Sequence, residues 1–100
     1  MKEIIHEVLA FRDERDWKQY HQEKDLAISI SLEANELLEN FQWKTSEEAV
    51  AKSRENIKEE AADILIYLIQ LADKMGFDLE DEVSRKMLKN AEKYPVNDGR

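Results

Sequence analysis

The stretch EEAADILIYLIQLA, from Glu59 to Ala72, is the part of the sequence that decides the fold. Its run ILIYLI, from Ile64 to Ile69, is apolar on every side of a helix, and such a helix is expected to be buried on every side. Asp63 directly precedes the run, so we expect its carboxylate to enter a helical interior. A bare charge there costs several kcal/mol unless it is paired or bound to a metal. The stretch predicts an inner helix that carries an acid with a special role.

The composition agrees with an all-α protein. The chain has 100 residues, of which 42% are hydrophobic and 38% are charged, and it contains only two glycines and one proline. This composition is typical of long helices, and it nearly excludes a β-sandwich. A chain of this length forms one hydrophobic core, so we expect a single domain that spans residues 1–100.

The charge and the apolar runs exclude several partners and cofactors. The formal net charge is −8, which disfavours nucleic acid and anionic membranes as partners. No apolar run approaches the roughly 20 residues that cross a bilayer, and Glu3 and Glu7 interrupt the first apolar segment, so a cytoplasmic location is expected. There is no cysteine and there are only two histidines, so any metal must be held by oxygen.

Apolar residues recur at helical spacing in four segments. We expect a first helix over about 2–16, a second from the N-cap Asp25 to about Trp43, a third from the capping box of Thr45 and Glu48 to Gly76 with a break near Ser53, and a last helix that Asp78 caps and Pro95 ends.

The second helix carries a pair of acids between two apolar stripes. Glu33 and Glu36 are three residues apart, a spacing at which like charges destabilise an isolated helix by a few tenths of a kcal/mol. A compensating cation is therefore expected. Glu60 and Asp63 repeat this spacing on the third helix. The flanking stripes are Leu26, Ile30, Ala34, Leu37 and Phe41 on one side and Ile28, Leu32 and Trp43 on the other.

Two acidic pairs on successive helices can face each other and provide four carboxylates. Hard oxygen ligands of this kind suit Mg²⁺ or Mn²⁺. The alternative is that the acids lie on the surface or pair with lysine and arginine, as most charges in helical proteins do. The residues alone leave both interpretations open. A di-iron bundle would need a Glu-x-x-His motif from each of two helices, and neither His6 nor His21 completes one.

Two further features are compatible with a phosphorylated, aromatic ligand. Lys86, Asn90 and Lys93 form a polar stripe on the last helix, with Tyr94 adjacent. Lysines on an exposed helix are most often only solvated, but beside a metal such a stripe fits a polyphosphate. Trp17 lies in the polar segment ERDWKQYH, which is compatible with stacking on a base as well as with core packing.

Four motifs follow one another in a characteristic order. They are ERDWKQYH (Glu14 to His21), LEANELLENFQWK (Leu32 to Lys44), EEAADILIYLIQLA (Glu59 to Ala72) and KMLKNAEKYPV (Lys86 to Val96). In order and spacing, these motifs resemble the MazG-like all-α nucleoside triphosphate pyrophosphohydrolases, and most closely the small dCTP pyrophosphatases. The resemblance implies a four-helix bundle that forms a homo-oligomer, a dimer or a tetramer, with sites built at subunit interfaces.

The resemblance also implies a role for each predicted site residue. The expected Mg²⁺ ligands, which could also hold Mn²⁺, are Glu33, Glu36, Glu60 and Asp63. The residues expected to contact the phosphates or the sugar are Lys86, Asn90, Lys93 and Tyr94, and those expected to enclose the base are Trp17 and Trp43.

The reaction implied is the attack of water on the α-phosphorus of a nucleoside triphosphate, which yields the monophosphate and pyrophosphate. Mg²⁺ would polarise the phosphoryl oxygens, with Glu36 as the carboxylate that assists deprotonation of the water. The first expected substrate is dCTP or a modified dCTP, and the cellular use would be nucleotide pool control or house-cleaning. The alternative is a non-catalytic helical interaction module of a stress or toxin–antitoxin system, whose acids serve solubility.

Overall fold

The chain folds into four α-helices, and its computed structural model describes residues 1–96. The elements are α1 (Lys2–Glu14), a single 3₁₀ turn (Lys18–Tyr20), α2 (Glu23–Glu39), α3 (Ser46–Met75) and α4 (Leu79–Lys93). The all-α architecture is confirmed, and residues 97–100 of the expected domain lie outside the described residues. None of the helices within residues 1–96 has the length and apolarity that a bilayer crossing requires.

Local sequence signals set most of the helix ends. The Thr45 hydroxyl caps α3 by accepting a hydrogen bond of 3.1 Å from the backbone amide of Glu48. Gly76 ends the same helix in the left-handed conformation, with φ 78°. Ser53 has a non-helical φ of −118°, so the expected break is present as a kink. Asp78 caps α4 through its carboxylate. These predictions are confirmed.

The predicted ends of α1 and α2 are wrong by a few residues. Gln22, not Asp25, is the N-cap of α2, and Asp25 accepts a hydrogen bond of 3.3 Å from the Gln22 backbone amide as the other member of a capping box. α2 ends at Glu39 rather than near Trp43, which has φ 62°. α1 ends before Asp16, which has φ 55°. A residue in the left-handed region cannot continue a right-handed helix.

α2 and α3 form the centre of the molecule as a helical hairpin. The turn between them, residues 40–45, is short, which makes the two helices antiparallel neighbours. α1 packs on the second half of α3, and α4 makes its main, smaller contact with α3. The most completely buried apolar side chains are Leu26, Ala49, Ile69 and Ala72. The core therefore lies between α2 and α3, the two helices that carry the acids.

The single chain leaves an unusually large surface exposed. Its radius of gyration is 16.8 Å, against about 13 Å for a compact domain of 100 residues. Its accessible surface is 7951 Å², against about 5,900 Å² for a monomer of this mass. Within the run ILIYLI, Ile66 is 37% exposed, so the expectation that this run is buried on every side is wrong for one chain alone. The second stripe of α2 is also uncovered at Ile28 and Leu32.

Candidate metal centre and adjoining cavity

Three carboxylates meet between α2 and α3. Glu33 and Glu36 come from α2 and Glu60 comes from α3, and one oxygen of each lies within 4.8 Å of the others. The spacing of three residues places both α2 acids on one side of their helix. The antiparallel packing of the hairpin brings Glu60 against them. The structure thus brings together three of the four predicted metal ligands.

Protein cations do not neutralise these three acids. Within residues 1–96, none of them forms an ion pair with a lysine, an arginine or a histidine. The Oε2 atoms of Glu33 and Glu60 are buried and accept no hydrogen bond there. The neighbouring Glu60 carboxyl group, aided by burial and by Glu36, raises the pKa of Glu33 to about 8. The compensating cation that the sequence predicts is therefore not a side chain of the described residues.

The donor set fits a hard divalent cation. Carboxylate oxygens are the ligands that Mg²⁺ and Mn²⁺ prefer, and buried oxygens without a hydrogen bond require a partner. Glu33 and Glu60 are half-buried, whereas Glu36 is exposed. A cation bound at this position would contact two helices and would still be open to solvent and to a ligand on the Glu36 side.

Asp63 lies apart from the three acids. It follows Glu60 by three residues on α3 and is half-buried, as an inward-facing residue should be. Its carboxylate is not among the oxygens that lie within 4.8 Å of one another. Asp63 instead lines a cavity, and it stands three residues after Glu60 on α3.

The adjoining cavity has a volume of about 650 Å³ and lies between α1, the loop after α1, and α3. Trp17 and His21 line it from the loop, and Asp63, Tyr67 and Gln70 line it from α3. Its size is that of an ordinary small-molecule site, and its wall is mostly apolar with a few polar groups. Such a wall suits a flat, partly polar ligand.

Trp17 and Trp43 occupy different environments. Trp17 is 43% exposed and packs edge-on against Phe11, with ring centroids 5.8 Å apart, and its ring lines the cavity. Trp43 is 100% exposed and does not line the cavity. A bulky side chain at φ 62° with no cover is unusual, and strain of this kind concentrates at functional sites.

The polar stripe of α4 does not reach the acid cluster within one chain. No hydrogen bond or ion pair among residues 1–96 joins the stripe to Glu33, Glu36 or Glu60. The Nζ atom of Lys93 lies 5.4 Å from the centre of the Tyr94 ring, so these two side chains contact each other instead. The stripe consists of Lys86, Asn90 and Lys93, and Tyr94 follows it as the C-cap of α4.

The structure adds two polar groups that the sequence interpretation missed. The buried Arg12 guanidinium pairs with Asp73 at 2.9 Å, and His21 shares a hydrogen bond of 3.0 Å with Gln70. The sequence contains a weak signal for each of two of these residues. Arg12 lies on the apolar face of α1, four residues after Val8, and Gln70 interrupts the apolar run of α3. Arg12, His21 and Gln70 all line the cavity.

Comparison with known proteins assigns the family. A model of the MazG-like family matches residues 28–100, a range that holds both acidic pairs and α4. The chain belongs to the MazG-like family. Two curated relatives of this MazG-like chain are dCTP pyrophosphatase 1 of Mus musculus, 41% identical, and of Homo sapiens, 40% identical, each over 92 residues. These alignments cover 87% of this chain and 54% of each relative, so the chain spans about half the length of these relatives.

A solved structure shows the same fold. A pyrophosphatase from Archaeoglobus fulgidus is 44% identical to this MazG-like chain, and the two structures superpose with a TM-score of 0.86. The match covers 96% of this chain and 93% of the archaeal chain. The helical arrangement around the acids is therefore shared along nearly the whole of both chains.

Proposed function

We propose that this MazG-like chain is a Mg²⁺-dependent pyrophosphohydrolase of deoxynucleoside triphosphates, with dCTP or a modified dCTP as its first substrate. The observation that carries the proposal is the cluster of Glu33, Glu36 and Glu60, which no protein cation neutralises within residues 1–96, beside a cavity of about 650 Å³. Relatives named dCTP pyrophosphatase 1 support the substrate class. A nucleotide substrate agrees with the cytoplasmic location that the sequence favours.

The residues that would hold the metal are the three clustered acids together with Asp63. Asp63 lies one turn along α3 from Glu60, and a change of its side-chain rotamer would add a fourth carboxylate from the cavity side. Mg²⁺, or Mn²⁺ in its place, would supply a Lewis acid for the phosphoryl oxygens and a coordination position for water. The acids would hold the cation, and through it they would set the position of the triphosphate relative to the two helices.

Glu36 is the proposed general base. It is the exposed member of the cluster, so its carboxylate can reach a water molecule while the more buried Glu33 and Glu60 remain in place. Removal of a proton from the water accompanies attack on the α-phosphorus. The bond between the α-phosphorus and the bridging oxygen breaks, which releases pyrophosphate and leaves the nucleoside monophosphate.

The cavity is the proposed position of the base. Trp17 offers a partly exposed indole on its wall, and a flat ring is held well by stacking on an aromatic side chain. Asp63 lines the cavity and stands three residues after Glu60 on α3, so a base in the cavity would leave the triphosphate on the side of the metal ligands. The base would then lie in the cavity and the phosphates at the acids, with the sugar between them, as these groups are ordered in a nucleotide.

A homo-oligomer, a dimer or a tetramer, is proposed as the working form. The chain exposes about 2,000 Å² more surface than a monomer of its mass, so two copies that covered it would together bury about 4,000 Å², which is in the range of obligate dimers. A second copy could cover Trp43 and bring the polar stripe of α4 (Lys86, Asn90, Lys93), together with Tyr94, to the phosphates. Light scattering tests the proposal, and a monomer mass at micromolar concentration with full activity would contradict it.

A panel of nucleotides tests the activity. The protein is incubated with each of the four deoxynucleoside triphosphates and Mg²⁺, and monophosphate and pyrophosphate are measured. We expect dCTP to be turned over, Glu60→Gln to lower the rate at least about 100-fold, and Glu59→Gln to leave it unchanged. The Glu59 side chain is an exposed neighbour that carries the same charge but stands outside the cluster. Absence of product with every nucleotide would favour the non-catalytic interaction module.

A further inference from the structure

Gln70 is a polar side chain where the fold would accept an apolar one. It stands between Ile69 and Leu71 on α3, is only 6% exposed, and lines the cavity that is otherwise mostly apolar. A buried amide loses free energy unless its donors and acceptor are hydrogen-bonded. A residue of this kind in a ligand-sized cavity is expected to have a specific partner.

His21 supplies only part of that partnership. Its Nδ1 atom and the Oε1 atom of Gln70 are 3.0 Å apart, and because a carbonyl oxygen can only accept, Nδ1 donates. The Nε2 atom of a neutral His21 is then an acceptor, and the amide nitrogen of Gln70 donates no hydrogen bond to the described residues. The pair therefore has one donor group and one acceptor left over. If the Gln70 amide is turned by half a turn, the free donor lies on His21 and the free acceptor on Gln70, so the pair still has one donor and one acceptor left.

The position of the pair relative to the other cavity groups suits a nucleobase. The centre of the His21 ring lies 6.4 Å from that of Trp17, so the polar pair adjoins the aromatic surface proposed for stacking. Asp63 lies on the same wall, two turns before Gln70 on α3. A ring stacked on Trp17 would therefore have its polar edge close to His21 and Gln70.

We infer that the His21–Gln70 pair reads the hydrogen-bonding edge of the base and distinguishes amino from keto bases. This inference rests on the proposed function. Cytosine presents an exocyclic amino donor beside a ring-nitrogen acceptor, whereas uracil presents a carbonyl acceptor beside a ring N–H donor. The orientation in the structure, with the free donor on Gln70 and the free acceptor on His21, offers one of these two orders. The opposite order would require the amide to turn and the imidazole proton to move to Nε2. A base of the wrong order leaves buried polar groups unpaired, which is the strongest source of discrimination between similar ligands.

The test compares two substrates that differ only at this edge. The value of kcat/KM is measured for dCTP and for dUTP with the wild-type protein and with Gln70→Met, which has a similar length but no hydrogen-bonding amide. We expect wild type to prefer dCTP at least about tenfold, and the preference to fall to within about threefold in Gln70→Met, mainly because dCTP is bound less well. Leu71→Met, a half-buried neighbour off the cavity wall, is the matched control and should keep the wild-type preference.

A second variant covers the case in which Gln70→Met does not fold. His21→Phe keeps an aromatic ring beside Trp17 but removes the hydrogen bond to Gln70, and the same loss of preference is expected. An unchanged dCTP to dUTP ratio in either folded variant would overturn the inference while leaving the proposed function intact. Equal loss of turnover with both nucleotides would overturn it as well. A wild-type protein that hydrolyses neither would overturn the proposed function itself.

Discussion

Replacing Glu60 by glutamine should stabilise the metal-free protein at high pH and remove its response to Mg²⁺. The Glu60 carboxyl group is the largest cause of the raised pKa of Glu33, about 8 against the ordinary 4.5. The folded protein therefore holds a proton at Glu33 more tightly than the unfolded chain does. The stability that this proton provides is complete below pH 4.5 and is lost as the pH rises through 8.

The size of the effect follows from the distance between the charges. Two unit charges no more than 4.8 Å apart repel each other by at least about 0.9 kcal/mol in water and by at least about 3.5 kcal/mol at an effective dielectric constant of 20. Glu60→Gln removes this repulsion and gives Glu33 a hydrogen-bond donor. For a domain of this size, about 1 kcal/mol corresponds to a melting temperature change of roughly 4–8 °C. At pH 9, Glu60→Gln should therefore melt at least about 4 °C above wild type.

The assay is a set of thermal melts by circular dichroism at pH 5, 7 and 9, with EDTA or with Mg²⁺. Wild type should lose stability from pH 5 to pH 9 in EDTA and regain it with Mg²⁺, because a bound cation stabilises the folded state. Glu60→Gln should show a flatter pH dependence and a smaller Mg²⁺ shift, while Glu59→Gln should behave as wild type. A Glu60→Gln protein that melts below wild type at pH 9 and keeps the full Mg²⁺ shift would refute the reasoning.

Three further predictions concern residues around the cluster. Asp63→Asn should abolish dCTP turnover and reduce the Mg²⁺ shift without unfolding the apo protein, and normal turnover would remove Asp63 from the metal site. Trp43→Ala should change the free energy of unfolding by less than about 0.5 kcal/mol, because the side chain is fully exposed, but should raise KM for dCTP. Arg12→Met should lower the free energy of unfolding, measured by urea denaturation, by about 1–2 kcal/mol, since Asp73 loses its closest cation but keeps Lys18 at 3.6 Å, and a double change with Asp73→Leu should restore part of the loss.

Features set by neighbouring residues could be predicted from the sequence. The Thr45 cap, the Gly76 end of α3 and the kink at Ser53 each depend on a few adjacent residues, so the chemistry that produces them is visible in the printed chain. The close approach of Glu33 and Glu60 was one of two interpretations that the residues left open, because two acidic pairs on successive helices can face each other.

Features set by distant residues could not be predicted in this way. Gln70 is satisfied by His21, which is 49 residues away in sequence, and no periodicity records such a contact. The α2 cap was assigned to the wrong member of the capping box, since Gln22 and Asp25 both carry capping side chains. α2 was predicted too long because its apolar pattern continues to Trp43 although the backbone turns after Glu39.

The proposed oligomer would have a consequence for how the protein behaves in a cell. A fold completed by a second copy is stabilised by mass action, so its stability depends on how many copies are present. Each tenfold dilution of a dimer would cost about 1.4 kcal/mol of apparent stability. Fully exposed Trp43 and half-covered Ile66 would then be open to proteases in sparse, dissociated chains. The abundance of the protein would in this way set both its activity and its own lifetime.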